Sequence, residues 1–222
     1  MGAETGPKIV EYARSKKRTK VGSGECFDLA VAALKEADSK TAYDFGEVTA
    51  DADYVWGKEV GLATVQPGDV IQYRSYRWEK TQEIQTSYSF PDGSTLDVSD
   101  TATSSVGRPH HTAIVTAPPS NGVVKVIEQN VERVVGRGLE KLVDDGEIYI
   151  QAVPKKTTTK TETARIDVAW GMKMKKLVGP KNAAAIDAIV KKNVGKNATA
   201  DITIEETITV SGTLKAYRAQ PK

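Results

Sequence analysis

The residues best suited to nucleophilic or acid–base chemistry in this chain of 222 residues are one cysteine and two histidines. Cys26 follows Gly22-Ser23-Gly24, and apolar side chains then recur at helical spacing. These side chains are Phe27, Ala30, Val31 and Leu34. We therefore expect Cys26 in the first turn of a helix, where unpaired N–H groups and the helix dipole favour a thiolate. The sequence predicts Cys26 as a candidate nucleophile.

A nucleophilic thiol needs a base, and the two histidines of the chain are adjacent, at His110 and His111. They precede Thr112-Ala113-Ile114-Val115, which is typical of a buried strand. Successive side chains of a strand point to opposite faces, so at most one of the two rings can face the thiol. We predict His111 as the base.

The base in turn needs an acceptor that orients its ring. Glu128 and Asn130 lie on the next apolar strand, spaced by two so that they share a face, while Gln129 is turned away. Either side chain could hold the imidazole. The candidate catalytic set is therefore Cys26, His111, Glu128 and Asn130.

Several elements must position this set. We expect a helix over about residues 6–16, and a turn at Gln66-Pro67-Gly68-Asp69 before a strand from Val70 to Tyr73. The alternating stretches Gln82 to Phe90 and Ser94 to Val98 predict a β-hairpin arm. Further strands are predicted over 112–116 and 123–128, with a helical turn from Leu139 to Leu142.

The carboxyl-terminal part has a different composition. Residues 155–163 are a Lys/Thr tract without an apolar core, which predicts a linker. After it, Ile166, Val168 and Trp170 alternate, a helical pattern spans 180–193, and a second alternation begins at Ile202. The predicted organisation is a domain at 1–154, a linker, and a small β-α-β-β unit at 164–222.

Four segments together resemble a known superfamily. They are Gly24-Glu25-Cys26, Gln66-Pro67-Gly68-Asp69-Val70, His111-Thr112-Ala113-Ile114-Val115, and Val126-Ile127-Glu128-Gln129-Asn130. They resemble the NlpC/P60 superfamily, in particular its CHAP branch of cysteine amidases and endopeptidases, over about residues 7–154. Gly-Glu-Cys and Glu-Gln-Asn-Val also look like the cysteine-proteinase-fold domain attached to fungal actin-patch proteins of the Bbc1 type.

The resemblance implies a papain-like α+β fold, with N-terminal helices packed on an antiparallel β-sheet. In CHAP-like domains a cysteine, a histidine before a small-apolar strand, and a Glu followed two places later by Asn form the site, which corresponds here to Cys26, His111, Glu128 and Asn130. One departure is Glu25, because CHAP enzymes commonly have Gln before the cysteine. A carboxylate there would repel a developing oxyanion, so the Cys26 N–H and another donor would have to serve.

The composition of the chain limits the classes of ligand and binding partner that we expect. Lys and Arg total 31 against 29 Asp and Glu, and aromatic residues make up 6%, which does not favour a nucleic-acid surface. With one cysteine a disulfide or a cysteine-built zinc site is excluded, and we expect neither a metal nor a cofactor. The resemblance to CHAP-like domains implies a peptide or peptidoglycan-like substrate as the partner.

No signal-peptide pattern or membrane-length apolar stretch occurs in the sequence. We therefore predict a cytoplasmic protein outside the membrane, with delivery out of the cell by another route left open. Two functions remain at this stage. One is a cysteine-dependent hydrolase that cleaves an amide bond through a thioacyl intermediate, and the other is a non-catalytic interaction module.

Overall fold

The protein is described by a computed structural model that covers residues 4–50, 52–135 and 138–222. Its helices are α1 (Thr5–Ser15), α2 (Cys26–Glu36), α3 (Val168–Val178) and α4 (Ala183–Asn193). Its strands are β1 (Lys58–Val60), β2 (Val70–Ser89), β3 (Thr95–Val115), β4 (Val123–Val135), β5 (Gly138–Tyr149), β6 (Val153–Arg165) and β7 (Asn197–Arg218). The strands are hydrogen-bonded in the order β1-β7-β2-β3-β4-β5, and β6 pairs with β7.

The chain divides into two compact units, and the strands β2, β3, β6 and β7 each contribute residues to both. Unit 1 comprises Met1–Trp78, Ser105–Val153 and Thr209–Lys222. Unit 2 comprises Glu79–Ser104 and Pro154–Ile208. Residues 155–163, predicted as a linker, lie inside β6 and belong to unit 2.

Unit 1 buries both faces of its strands. Strand alternation sends neighbouring side chains into two apolar clusters, so that Ile114 and Ile127 enter one cluster while Ala113 and Val126 enter the other. The first cluster also contains the apolar stripes of α1 and α2, including Ile9 and Leu34. The strands that carry His111 and Glu128 are thus held between two packed layers.

An ion pair between the buried Asp69 and the half-buried Arg218 joins the start of β2 to the end of β7 within unit 1. The Asp69 carboxylate accepts hydrogen bonds from Nε and Nη2 of Arg218, both at 3.0 Å, and from the backbone N–H of Gln66 at 2.8 Å. Gly68 in the same turn has φ +91°, and a Cβ there would lie 2.5 Å from the Cα of Gly6. Glycine is therefore required at this position by both conformation and space.

Unit 2 has its own core. Apolar residues of the strands and of α3 and α4 form it: Tyr88, Phe90, Val98, Ile166, Trp170, Met174, Ile186, Ala198 and Ala200. The backbone N–H of Trp170 donates to the Asp167 carboxylate at 2.8 Å, an N-cap that starts α3.

The structure corrects the predicted fold class. We predicted a papain-like NlpC/P60 α+β fold with N-terminal helices on an antiparallel sheet and a β-α-β-β extension, and this is wrong. In the part of the chain that the structure describes, strands account for 48% and helices for 25%, so this part is mainly antiparallel sheet with four α-helices. The reason is that long segments rich in Thr, Ser and Lys are strands with exposed side chains on both faces. Apolar alternation cannot reveal strands of this kind.

Two smaller elements also differ. The alternation of Ile166, Val168 and Trp170 predicted a strand, but Val168 begins α3 after the Asp167 N-cap. The predicted helical turn from Leu139 to Leu142 lies in β5. Among the described residues, no helix combines the length and apolar character needed to cross a membrane.

We predict that Asp69→Ala lowers the free energy of unfolding by roughly 2–3 kcal/mol, because Arg218 and the Gln66 N–H lose a buried acceptor. Urea unfolding followed by tryptophan fluorescence measures the change. Asp145→Ala, which removes the exposed partner of Lys17, is the matched control and should leave the midpoint in place. Equal midpoints for both variants would contradict the assigned role of Asp69.

Candidate functional site

The thiol lies at the start of a helix, and the surrounding backbone favours its anionic form. Cys26 is the first residue of α2, preceded by Glu25 in an extended conformation (φ −81°, ψ 152°). Its side chain is buried, with 9% of the residue exposed. Hydrogen bonds from the backbone N–H groups of Phe27 and Thr112 reach the sulfur. The position therefore supplies donors to a negative charge.

His111 lies between the thiol and a carboxylate. Its Nε2 is 2.8 Å from Oε2 of Glu128, and the ring also hydrogen-bonds to Cys26. Because Nε2 is hydrogen-bonded to Glu128, we infer that Nδ1 is the ring nitrogen that faces the Cys26 thiol. The structure thus brings together Cys26, His111 and Glu128, three of the four residues that the sequence predicted.

The carboxylate of Glu128 is engaged through both oxygens. Nη2 of Arg108 contacts Oε1 at 3.3 Å, while Oε2 faces His111. Glu128 is buried, and Gly146 on β5 makes room for it, because a Cβ at that glycine would lie 2.6 Å from Oε1. Arg108 and Gly146 therefore position the carboxylate that orients the imidazole.

Burial and pairing act in opposite directions on these groups. Burial raises the pKa of Cys26, but the hydrogen bond and charge of His111 and two backbone N–H groups bring that pKa below its ordinary value. Burial lowers the pKa of His111, yet the hydrogen bonds and charges of Cys26 and Glu128 raise it to about 9. Both shifts favour the charged forms, the thiolate of Cys26 and the imidazolium of His111.

The pKa of Glu128 follows the same logic. Burial raises it, and the hydrogen bond and charge of His111, together with the charge of Arg108, bring it below its ordinary value. The Tyr73 ring packs edge-on against His111, with centroids 5.4 Å apart, and its own burial raises its pKa well above the ordinary range. Tyr73 is therefore a neutral apolar wall for the imidazole.

Asn130 does not join this set. The pairing of β4 with β5 has a bulge between Glu128 and Val131, and Asn130 has φ +68°. This left-handed residue breaks the alternation that would have placed it on the face of Glu128. Its Nδ2 donates instead to Oε2 of Glu25 at 2.8 Å, and Lys141 pairs with the other oxygen of Glu25.

Gln129, which the sequence placed on the opposite face, fixes the loop before the thiol. Its Oε1 accepts from the Val21 N–H at 2.7 Å, and its Nε2 donates to the carbonyl oxygens of Val21 at 2.9 Å and Glu25 at 2.8 Å. The side chain is completely buried. Gln129 therefore holds the backbone immediately before Cys26.

Cys26 opens onto a cleft of about 330 Å³. Its walls are formed by Glu25, Cys26, Phe27, Asp28, Ala50, Tyr54, His110 and Asn130. His111 and Glu128 are buried and are not among the residues that line this cleft. Among the described residues, no cluster of three His, Cys, Asp or Glu side chains is suited to hold a metal ion.

Sequence reasoning missed Arg108, Gln129 and Tyr54. A buried glutamine beside a predicted acidic site residue is a signal that could have indicated Gln129, since buried amides require partners. Arg108 and Tyr54 lie in polar segments without a motif, and only the fold brings them to the site.

We predict that Cys26 reacts with iodoacetamide below the pH range of an ordinary thiol. In His111→Ala the reactive midpoint should move above the ordinary value, because burial then acts without its counter-charge. Glu128→Gln should give an intermediate midpoint. The measurement is the alkylation rate against pH, followed by intact mass. The α2 control Lys35→Ala should match the wild type, and a profile unaffected by His111→Ala would refute the pair.

We predict that Gln129→Leu lowers the free energy of unfolding by about 2–3 kcal/mol, since the Val21 and Glu25 backbone groups lose buried partners. Alkylation of Cys26 should slow in the folded variant, because the loop before it is released. Urea unfolding and the alkylation rate at one pH measure both effects. Asn130→Ala is the neighbouring control and should change stability less. Unchanged stability in Gln129→Leu would count against this role.

The similarities found among solved structures include the following two, both with very low TM-scores. The T2SS secretin XcpQ from Pseudomonas aeruginosa is 7% identical, with 69% of this chain and 60% of that chain covered and a TM-score of 0.21. The Salmonella SPI-1 type III secretion injectisome secretin InvG is 9% identical, with 96% and 80% covered and a TM-score of 0.12. Scores this low carry no argument about this chain. No curated protein matches it.

A family model gives a specific match. The AIM3/BBC1 cysteine proteinase-fold domain matches residues 1–153, a range that contains all four predicted site residues. This confirms the resemblance to the Bbc1-type domain, while assignment to the NlpC/P60 superfamily and its CHAP branch stays a prediction. Because the match spans more than half of the chain, this protein belongs to the AIM3/BBC1 cysteine proteinase-fold domain family.

Proposed function

We propose that this domain is a cysteine-dependent hydrolase that cleaves an amide bond through a thioacyl intermediate. One observation carries the proposal: a buried imidazole, His111, has the Cys26 thiol on one side and the Glu128 carboxylate at 2.8 Å from its Nε2. A thiol, a base and an orienting acceptor in this order are the elements of nucleophilic acyl transfer.

In the first half of the reaction the Cys26 thiolate attacks the carbonyl carbon of the amide. The S–C bond forms, and the carbonyl π pair moves to the oxygen as a negative charge. When this tetrahedral species collapses, the C–N bond breaks and the imidazolium of His111 gives its proton to the leaving amine. The product of this half is a thioester on Cys26 and a neutral imidazole.

The second half restores the enzyme. Neutral His111 takes a proton from a water molecule that attacks the thioester carbon, and the C–S bond then breaks to release the acid. The departing sulfur leaves as the thiolate, which is again stabilised by the imidazolium. Glu128 keeps the imidazole in one orientation and one tautomer throughout, since its Oε2 is bonded to Nε2.

The pKa directions define the working pH range. Activity rises as Cys26 becomes a thiolate, below its ordinary pKa, and falls as His111 loses its proton near pH 9. The sign follows from the chemistry, because the leaving amine needs the proton of the imidazolium. A bell-shaped profile with its basic limb near pH 9 is therefore expected.

The substrate is proposed as a peptide or peptidoglycan-type amide on the basis of the motif resemblance. Aromatic rings and carboxylates line the cleft beside Cys26. We propose that the cleft holds a chain-like substrate with one carbonyl group next to the sulfur. Phe27 and Tyr54 contact each other there, with ring centroids 4.7 Å apart, and offer an apolar surface to a side chain of the substrate.

A second candidate is a non-catalytic interaction module, and Glu25 is the observation that favours it. Its side chain lines the cleft next to Cys26 and is bound by Lys141 and Asn130. A carboxylate beside the sulfur opposes negative charge on a substrate oxygen. In this alternative the cleft holds a partner and the thiol is not used.

We predict that the protein hydrolyses p-nitrophenyl acetate with a burst followed by steady turnover, and that intact mass shows acetylated Cys26 during the burst. Cys26→Ala should abolish the burst. In His111→Ala, kcat/KM should fall by roughly 10³-fold, because the thiol loses the counter-charge that favours its thiolate. On a peptide p-nitroanilide, whose leaving amine must be protonated, the pH profile of the wild type should show the basic limb near 9.

Lys35→Ala, an exposed change on α2, is the control for this experiment and should retain both phases. An acetylated Cys26 that never turns over, with no basic limb, would overturn the hydrolase and leave the interaction module.

A further inference from the structure

His110 shares the cleft with Cys26 and has no part in the reaction described so far. It precedes His111 on β3, so its ring lies on the other face of the strand. The ring packs against Tyr54, with centroids 5.1 Å apart, and lines the cleft onto which the sulfur opens. His110 thus stands where a substrate would lie.

A buried amide fixes the tautomer of this ring. Oε1 of Gln72 accepts from Nε1 of Trp56 at 3.1 Å and from Oγ1 of Thr112 at 2.8 Å. Because an indole N–H can only donate, that atom of Gln72 must be the oxygen. The remaining amide nitrogen of Gln72 lies 3.0 Å from Nε2 of His110 and donates to it. The ring proton of His110 is therefore on Nδ1.

This Nδ1–H is a donor available to the cleft. Within the described part of the chain it has no hydrogen-bond partner. The other polar walls are less suitable. Glu25 and Asp28 are carboxylates, the Tyr54 hydroxyl donates to the Thr49 carbonyl oxygen at 2.8 Å, and Asn130 already donates to Glu25.

We propose that His110 is an oxyanion donor of the hydrolase site, with its Nδ1–H directed to the substrate oxygen that becomes negative when Cys26 attacks. This inference rests on the proposed function. His110 would also provide the second hydrogen-bond donor to the oxyanion. Glu25, the residue before the cysteine, cannot take this role, because an ionised carboxylate has only acceptor oxygens. The Cys26 backbone N–H is the first donor.

The step requires no proton transfer from His110. As the S–C bond forms, the carbonyl π pair moves to the oxygen, and Nδ1–H donates a hydrogen bond to that oxygen. When the C–N bond breaks, the pair returns to the carbonyl and the hydrogen bond weakens. His111 handles the proton of the leaving amine, so the two neighbouring histidines have separate tasks on opposite faces of β3.

The test compares two reactions of the same thiol. Alkylation by iodoacetamide displaces iodide and forms no oxyanion, whereas acylation by p-nitrophenyl acetate does. In His110→Phe, which keeps an aromatic ring against Tyr54 and removes the donor, acylation should fall by roughly 10²-fold. The alkylation rate should stay within about twofold of the wild type, and the pH midpoint of alkylation should not move, because the oxyanion donor acts only on acyl transfer.

Two further variants and a control complete the test. His110→Asn places an amide N–H near the position of Nδ1 and should recover part of the acylation rate, because a single oxyanion donor is worth roughly 10²-fold or more. Asn130→Ala examines the other side-chain amide of the cleft and should slow acylation less than His110→Phe does. Lys35→Ala, an exposed change on α2, is the control that should leave acylation close to the wild type.

Unchanged acylation in His110→Phe would overturn the proposal, and so would an equal loss of alkylation, which would show an effect on the thiolate itself. A loss found in Asn130→Ala instead would assign the donor to Asn130. Failure of the hydrolase proposal has a different signature, since the wild type would then show no turnover and its alkylation would not respond to His111→Ala.

Discussion

The site depends on one buried imidazole that satisfies two other ionisable groups. Cys26, His111 and Glu128 are each almost fully enclosed, and each would resist ionisation if it were alone. Together they place the sulfur, the imidazole and the carboxylate in sequence, with Arg108 at the end, and pairing favours the charged form of each. Burial strengthens every one of these attractions, because little water is present to screen them. Removal of the central ring would leave the buried thiol without a counter-charge and Glu128 with Arg108 alone.

The backbone around this row of charges is held by neutral groups. Gln129 uses its whole amide to bind the loop that leads into α2, and Gly146 leaves space for the Glu128 carboxylate. The bulge at Asn130 separates the two tasks of β4, since Glu128 serves the imidazole while Asn130 turns toward Glu25. Cys26 thereby both hydrogen-bonds to His111 and lines the cleft. The family to which this domain belongs is described by a cysteine proteinase fold. Within that fold, Cys26, His111 and Glu128 are the groups on which the proposed chemistry depends.

Much of the sheet in unit 2 and in the long strands is formed by segments that lack an alternating pattern of apolar residues. β6 and the tip of β3 carry Thr, Ser and Lys on both faces, so their pairing is held by backbone hydrogen bonds rather than by burial of side chains. β-branched threonine suits a strand even where the side chain is exposed. Hydrophobic periodicity indicates only those strands that bury one face. For this reason the sequence predicted these segments as an arm and a linker.

The sequence by itself determined the local features. It identified Cys26 as the start of a helix, separated His110 from His111 by strand parity, and indicated Glu128 as an acceptor, because helix caps and strand alternation depend on near neighbours in the chain. Tertiary structure decided everything that depends on a partner far away. The bulge at Asn130 needs the register of β5, the role of Gln129 needs a loop more than one hundred residues earlier, and the Asp69–Arg218 pair joins residues 149 positions apart. Such contacts form only when strands pair, and no local pattern of residue types records which strands those will be.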